Sequence, residues 1–214
     1  MKILYGVQGT GNGHLSRARG MAKHFARRGA DVTYLFSGRE RDKLFGMEPF
    51  GDFLVRQGLT FSVQDGKVSY LRTAISNNPV RFLQEVSGLD LSAYDLVLND
   101  FEPVSAWAAR WRGKPVISFG HQPAFRHNIP VSGGDPISRA VLRYFAPGDI
   151  NIGLHWHHFG QQILPPIIHF DRDDTAVIAG KILVYLPFED QQHLIGILRD
   201  LPEWDFYVYA PGHA

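Results

Sequence analysis

The chain has 214 residues, 44% of them hydrophobic and 20% charged, a composition that suits a folded globular protein with one good core and part of a second. Twenty-two Lys and Arg against 21 Asp and Glu leave a formal charge of +1, which gives no electrostatic reason to expect nucleic acid as a partner. There is no cysteine, so disulfides, thiol catalysis and thiolate metal sites are excluded, and a reducing cytosol is suited.

The first element is an apolar strand, Lys2–Gln8, with no run of signal-peptide character before it. No segment approaches the ~18 apolar residues of a membrane span. The expectation is a cytoplasmic protein with at most peripheral membrane contact. A glycine turn, Gly9-Thr10-Gly11-Asn12-Gly13-His14, leads into a helix from Asn12 to about Arg28. Leu15, Ala18, Ala22, Phe25 and Ala26 recur there at helical spacing, with Arg17, Arg19, Lys23 and Arg27 directed outward. Gly29 stops this helix and a strand follows at Asp31–Phe36, completing a βαβ unit.

Next come a short helix at Arg41–Phe45, short strands at Phe53–Gln57 and Thr60–Val63, and a helix opened by Asn78-Pro79. The phenylalanines at 45, 50, 53 and 61 read either as the core of this excursion or as a contact for an apolar ligand. A strand at Asp95–Asp100 runs through Phe101-Glu102-Pro103 into a helix ending near Arg112, in which Trp107 and Trp111 read as packing residues. The strand Pro115–Phe119 then ends in Gly120-His121-Gln122. Gly133-Gly134-Asp135-Pro136 reads as a mobile loop before a helix at Ile137–Phe145, and Asp149–Leu154 as the last strand of a first domain, residues 1–168. A polar linker over 169–176 precedes a restart at 177–214, with strand Lys181–Leu186, helix Gln191–Arg199 and strand Asp205–Ala210. One βαβ unit is too small for an ordinary domain of ~100 residues, so the expectation is that a larger second domain begins here.

In an open parallel sheet the strand C-termini line the ligand crevice, which places the Gly9–His14 loop, Asp100-Phe101-Glu102 and Gly120-His121-Gln122 on one side. A glycine turn entering a helix N-terminus favours an anion. It is not the dinucleotide fingerprint, because His14 stands where the third glycine belongs and the second strand ends in Ser37-Gly38-Arg39 without an acid. Nor is it a P-loop, since no Gly-Lys-Ser/Thr closes it. His14 reads either as a general base or as a loop-shaping residue bonded to a carbonyl. Asp100 reads either as a strand-end group facing the crevice or as the N-cap of the helix after Pro103. Arg17 reads as a phosphate contact or a solvated helix residue. His121 and Gln122 read as ligand contacts at the strand end, or as groups that satisfy loop carbonyls. The run His155-Trp156-His157-His158 has no third ligand at a metal spacing, and no metal is expected.

Gly9-Thr10-Gly11-Asn12-Gly13-His14-Leu15-Ser16-Arg17, Asp95–Pro103 and Ser118–Gln122 resemble the GT-B glycosyltransferases. The similar branch is the one related to the transferase that adds N-acetylglucosamine to the peptidoglycan lipid precursor. The restart at Ile182–Leu186 is similar to the opening of the second GT-B domain. The resemblance implies an α/β fold: a Rossmann-like parallel-sheet acceptor-side domain followed by the first βαβ unit of a Rossmann-like donor domain. It implies inverting transfer from a nucleotide-sugar donor to a glycan, lipid-linked or small-molecule acceptor, without a metal or other cofactor. His14 and Asp100 are then the catalytic pair, and Gly9, Thr10, Gly11, Asn12, Gly13, Arg17, Glu102, His121 and Gln122 contact substrate. A truncated chain of this kind is expected to be inactive alone. A nucleotide-sugar epimerase and a non-catalytic glycan-binding module are the alternatives.

Overall fold

The computed structural model describes residues 1–61, 63–64, 67–68, 73, 77–131, 136–168, 176–186 and 189–209. The chain divides into two compact units, residues 1–59 with 78–170 and residues 60–77 with 171–214. The expected loop at 133–135 and the polar stretch at 171–175 lie outside the described residues.

In the first unit β1 (Lys2–Gln8), α1 (Asn12–Arg27), β2 (Asp31–Ser37) and β3 (Phe53–Arg56) follow the expected alternation. The pair β4 (Val63–Gln64) and β5 (Lys67–Val68) is antiparallel and belongs to the second unit. Thr60 is not in a strand, contrary to expectation. The side-chain amide of Asn77 takes the place of a neighbouring strand, its Oδ1 accepting from the Thr60 N–H at 2.8 Å while its Nδ2 donates to the Thr60 carbonyl at 2.8 Å. The first unit continues with α2 (Pro79–Gly88), β6 (Leu96–Asp100), α3 (Pro103–Arg112), β7 (Val116–Gly120) and the short α4 (His121–Ala124). It closes with α5 (Pro136–Tyr144), β8 (Ile150–Leu154) and β9 (Ile163–Leu164). The strands form a seven-stranded sheet in the order β3-β2-β1-β6-β7-β8-β9, with every pairing parallel. In the second unit β10 (Lys181–Val184) pairs parallel with β11 (Asp205–Val208), and α6 (Gln191–Arg199) lies between them in sequence.

Strand alternation divides the core between the two sheet faces. Ile3, Tyr5 and Val7 of β1 pack with Leu15, Ala18 and Ala22 of α1, while Leu4 packs with Val86 of α2 and Val104 and Ala108 of α3. Phe50 and Phe53 belong to the first of these clusters, packed on Phe36, so they serve as core for the excursion. Trp107 packs against the second cluster, but Trp111 is half exposed rather than packed on the sheet.

Glu102 accounts for the start of α3. Its Oε1 accepts from the Val104 N–H at 2.8 Å and its Oε2 from the Ser105 N–H at 2.6 Å, and the Ser37 hydroxyl donates to Oε1 at 2.7 Å. The cap is therefore Glu102 and not Asp100. Gly6 of β1 faces the same spot, because a Cβ there would collide with Ser105 Oγ and lie 3.0 Å from Glu102 Oε2.

Gly6→Ala is expected to destabilise the fold by about 1–3 kcal/mol in urea unfolding. Gly88→Ala, where a Cβ meets nothing within 4 Å, serves as the neutral or slightly stabilising control. Burial raises the Glu102 carboxyl above its ordinary 4.5, and the bonds from Ser105, Ser37 and Val104 recover only part of that shift. The folded state then holds this proton more tightly than the unfolded chain. Its contribution is complete below pH 4.5 and is lost as pH rises through the folded value. The stability difference between wild type and Glu102→Gln should accordingly shrink as pH is raised from there, and a difference that grows would contradict the assignment.

Candidate active site

The sheet reverses direction between β1 and β6. From β1 the chain moves outward through β2 to β3, and from β6 it moves the other way through β7 to β9, so the connections diverge at this seam. Val7 and Asp100 are register partners across it. Asp100 has the same parity as Leu98, which packs in the cluster on the α1 face. Its carboxylate therefore emerges under α1, where His14 and Arg17, at i and i+3, share one side of the helix.

The three side chains meet. His14 Nδ1 lies 2.7 Å from Asp100 Oδ1, Arg17 Nε donates to Oδ2 at 2.7 Å, and Arg17 Nη2 donates to Oδ1 at 2.8 Å. The side chains of His14 and Arg17 are 14% and 16% exposed, and that of Asp100 is fully buried. Burial alone would raise the Asp100 carboxyl, but the electrostatic and hydrogen-bond interactions with His14 and Arg17 outweigh it and hold the group below the usual carboxylate range. A carboxylate oxygen at 2.7 Å needs a proton between it and the ring, so Nδ1 carries the hydrogen, and in the neutral ring Nε2 is the nitrogen with the lone pair. Arg17 is thus turned inward onto Asp100, against the outward orientation that its place in the helix pattern suggested.

Two backbone features make room for this arrangement. Gly120, at the end of β7, has φ +143°, and a Cβ there would stand 3.1 Å from Asp100 Oδ1 and 3.5 Å from Arg17 Nη2. Phe101 is a non-glycine residue at φ +55°, a conformation that costs of order 1–3 kcal/mol. It is strapped by Asn99, whose Nδ2 donates to the Glu102 carbonyl at 2.6 Å and whose Oδ1 accepts from the Glu102 N–H at 3.2 Å.

The glycine loop is held from β2. The Gly9 N–H donates to the Ser37 carbonyl at 2.7 Å, and the Gln8 amide reaches Thr10 Oγ1 at 3.3 Å and the Leu59 carbonyl at 3.0 Å. Arg39 spans the turn, donating to Asn12 Oδ1 at 3.2 Å and to the Thr10 carbonyl at 3.0 Å. Thr10 and Asn12 are thereby tied into the loop itself. Arg39 is a residue that sequence reasoning missed, although it stands where a dinucleotide fold keeps its acid and faces a polar loop residue across neighbouring strands. The N-cap Gly11 supplies no side-chain cap and the first turn of α1 holds no acid, so no carboxylate or hydroxyl of its own competes for an anion there. A Cβ at Gly11 would press on His14 Cδ2 at 3.1 Å, while at Gly13 it would meet open space.

Glu102, His121 and Gln122 do not join one surface. Glu102 is fully buried in its capping role, and Gln122 lines a small cavity with Asn99, Ser118 and Asn151. His121 instead lines a cleft of about 230 Å³ with Arg17, Leu154, His155, Trp156 and Pro166. There the rings of His121 and His155 are stacked at 5.5 Å, and burial pushes the His121 imidazole below its ordinary value, helped by His155 and Arg17. In the histidine run, Nδ1 of His157 accepts from the Phe159 N–H and Nδ1 of His158 from the Gly160 N–H, each at 2.9 Å. Among the described residues no three His, Asp or Glu gather to hold a metal, and no helix is long and apolar enough to cross a membrane.

Known structures share this architecture at low identity. The chain matches the glycotransferase of kitacinnamycin at 13% identity and TM-score 0.55, covering 100% of this chain and 66% of that one. It matches the Streptomyces sp. SF2575 glycosyltransferase SsfS6, solved with thymidine diphosphate, at 13% identity and TM-score 0.54, covering 98% and 67%. MurG of Acinetobacter baumannii also aligns, at 13% identity and TM-score 0.47, over 100% and 68%. The chain thus spans about two thirds of the length of these structures. No curated protein sequence matches it. Residues 1–213 match the family described as Glycosyl transferase family 1, and the chain, with its Rossmann-like parallel sheet of GT-B type, belongs to that family.

Proposed function

We propose that this chain is the acceptor-side domain, residues 1–168, joined through 169–176 to the opening of a nucleotide-sugar-binding domain at 177–214, of an inverting glycosyltransferase. The observation that carries the reading is the 2.7 Å contact between His14 Nδ1 and the fully buried carboxylate of Asp100. It leaves Nε2 as a lone pair at the mouth of the glycine loop, the arrangement needed by a base that acts on a substrate hydroxyl.

The acceptor O–H gives its proton to His14 Nε2 as its oxygen attacks the anomeric carbon. The bond from that carbon to the diphosphate oxygen breaks, and its electron pair leaves with the nucleotide. Backbone N–H groups at Gly11–Gly13 and the N-terminus of α1 face the negative charge that develops. A nucleotide-linked sugar is supported as donor by the thymidine diphosphate held by the Streptomyces relative. The cleft beside Arg17 receives the acceptor, with Trp156 at its rim and the stacked His121–His155 pair as a wall. No metal or other cofactor enters the reaction.

Testing begins with a panel of nucleotide sugars screened for protection of the complete protein against unfolding, followed by turnover of the protecting donor with candidate acceptors. His14→Ala should lower kcat by about 10²–10⁴, the range of a general base, and turnover within a few-fold of wild type would remove that role. Product that forms equally well without any acceptor would point to epimerisation instead.

A further inference from the structure

We propose that Arg17 is the counter-ion that keeps His14 uncharged and therefore available as a base. A fully buried carboxylate needs one positive partner, since water cannot stabilise it. Two groups on α1 reach Asp100, and only one of them is needed to balance its charge. Arg17 fills that place with a two-bond fork, Nε to Oδ2 at 2.7 Å and Nη2 to Oδ1 at 2.8 Å, and the guanidinium does not lose its proton. His14 then adds only a neutral N–H to Oδ1, from Nδ1 at 2.7 Å.

The geometry also opposes a second cation. Arg17 Nη2 lies 3.1 Å from His14 Nδ1, so an imidazolium would bring two like charges together in a partly buried site. The reverse arrangement, with Nη2 donating to an unprotonated Nδ1, would set the ring lone pair against Oδ1 across the shorter contact. The other titratable groups around the trio do not supply the charge. Burial, with Asp100 adding to it, raises the Tyr5 phenol on β1 so that it stays neutral, and burial lowers the His121 imidazole on α4. Remove Arg17, and the buried carboxylate takes its counter-ion from His14, which then carries a proton on both nitrogens. Arg17 is thus a positioning residue. Its charge role stands on the trio's geometry, and its importance for turnover rests on the reading of His14 as base.

The test is nitrogen NMR of the imidazole rings in the ¹⁵N-labelled chain at neutral pH, with the His14 signals among the ten histidines assigned by comparison with His14→Gln. Wild type should show His14 with a single proton, on Nδ1. Arg17→Met should show both nitrogens protonated, and Arg17→Lys, which keeps the charge, should restore the single proton. A doubly protonated His14 in wild type or in Arg17→Lys, or a singly protonated one in Arg17→Met, overturns the proposal. The wild-type and Arg17→Lys spectra decide it even if Arg17→Met does not fold. In the complete enzyme, Arg17→Met should lose at least tenfold in turnover at neutral pH and recover as pH is raised. The expected spectra with an unmoved pH profile would leave the charge arrangement standing and remove the base.

Discussion

A carboxylate with no access to water organises the site. Asp100 is placed where it is by strand parity, at the end of β6 and on the face covered by α1, and its charge must be met by groups from that helix. Meeting it fixes the rotation of α1, the inward turn of Arg17 and the tautomer of His14 together. It also dictates the surroundings. β7 must end in a residue with no side chain, because its backbone passes against Asp100 Oδ1 and the Arg17 guanidinium. The glycine loop is supported from the end of β2 and the turn after it, through the Ser37 carbonyl and the Arg39 fork.

The scaffold beneath is separate from the chemistry, though only a few residues away. Asn99, Glu102, Ser105 and Ser37 form a buried hydrogen-bonded group on the opposite face of the sheet, joining the ends of β2 and β6 to the start of α3. All four side chains are buried, and their partners are one another, the local backbone and the Gln8 side-chain amide, whose oxygen accepts from the Ser37 hydroxyl at 3.2 Å. A polar network of this kind resists rearrangement because any broken member is left without water. The result is a stiff seam under the point where His14 and Asp100 meet.

Much of this is legible in the amino-acid sequence itself. Short apolar runs between helical patterns locate β1, β2, β6 and β7, and the strand–glycine–helix sequence at Gly9–His14 marks the crevice. Strand-end logic puts His14 and Asp100 on one side of the sheet, as the topology does, while their pairing comes from the family resemblance. Arg17 was harder to place, because helical periodicity assigns a basic residue to the solvent side and cannot register a buried acid 83 positions away. Glu102 was misplaced for a related reason: an acid beside a crevice residue looks like a ligand contact, and only the left-handed turn at Phe101 shows that it faces the other way. Thr60 was read as strand because periodicity counts residues and not partners, and here the partner is a side-chain amide.

That left-handed residue has an evolutionary consequence. Asp100 and Glu102 are two acids separated by one position, yet one serves the reactive face and the other the foundation, and Phe101 is the pivot that sends them apart. Inserting or deleting a single amino acid here would exchange the duties of neighbouring positions. Length at positions 99–102 is therefore a frozen trait in descendants of this chain.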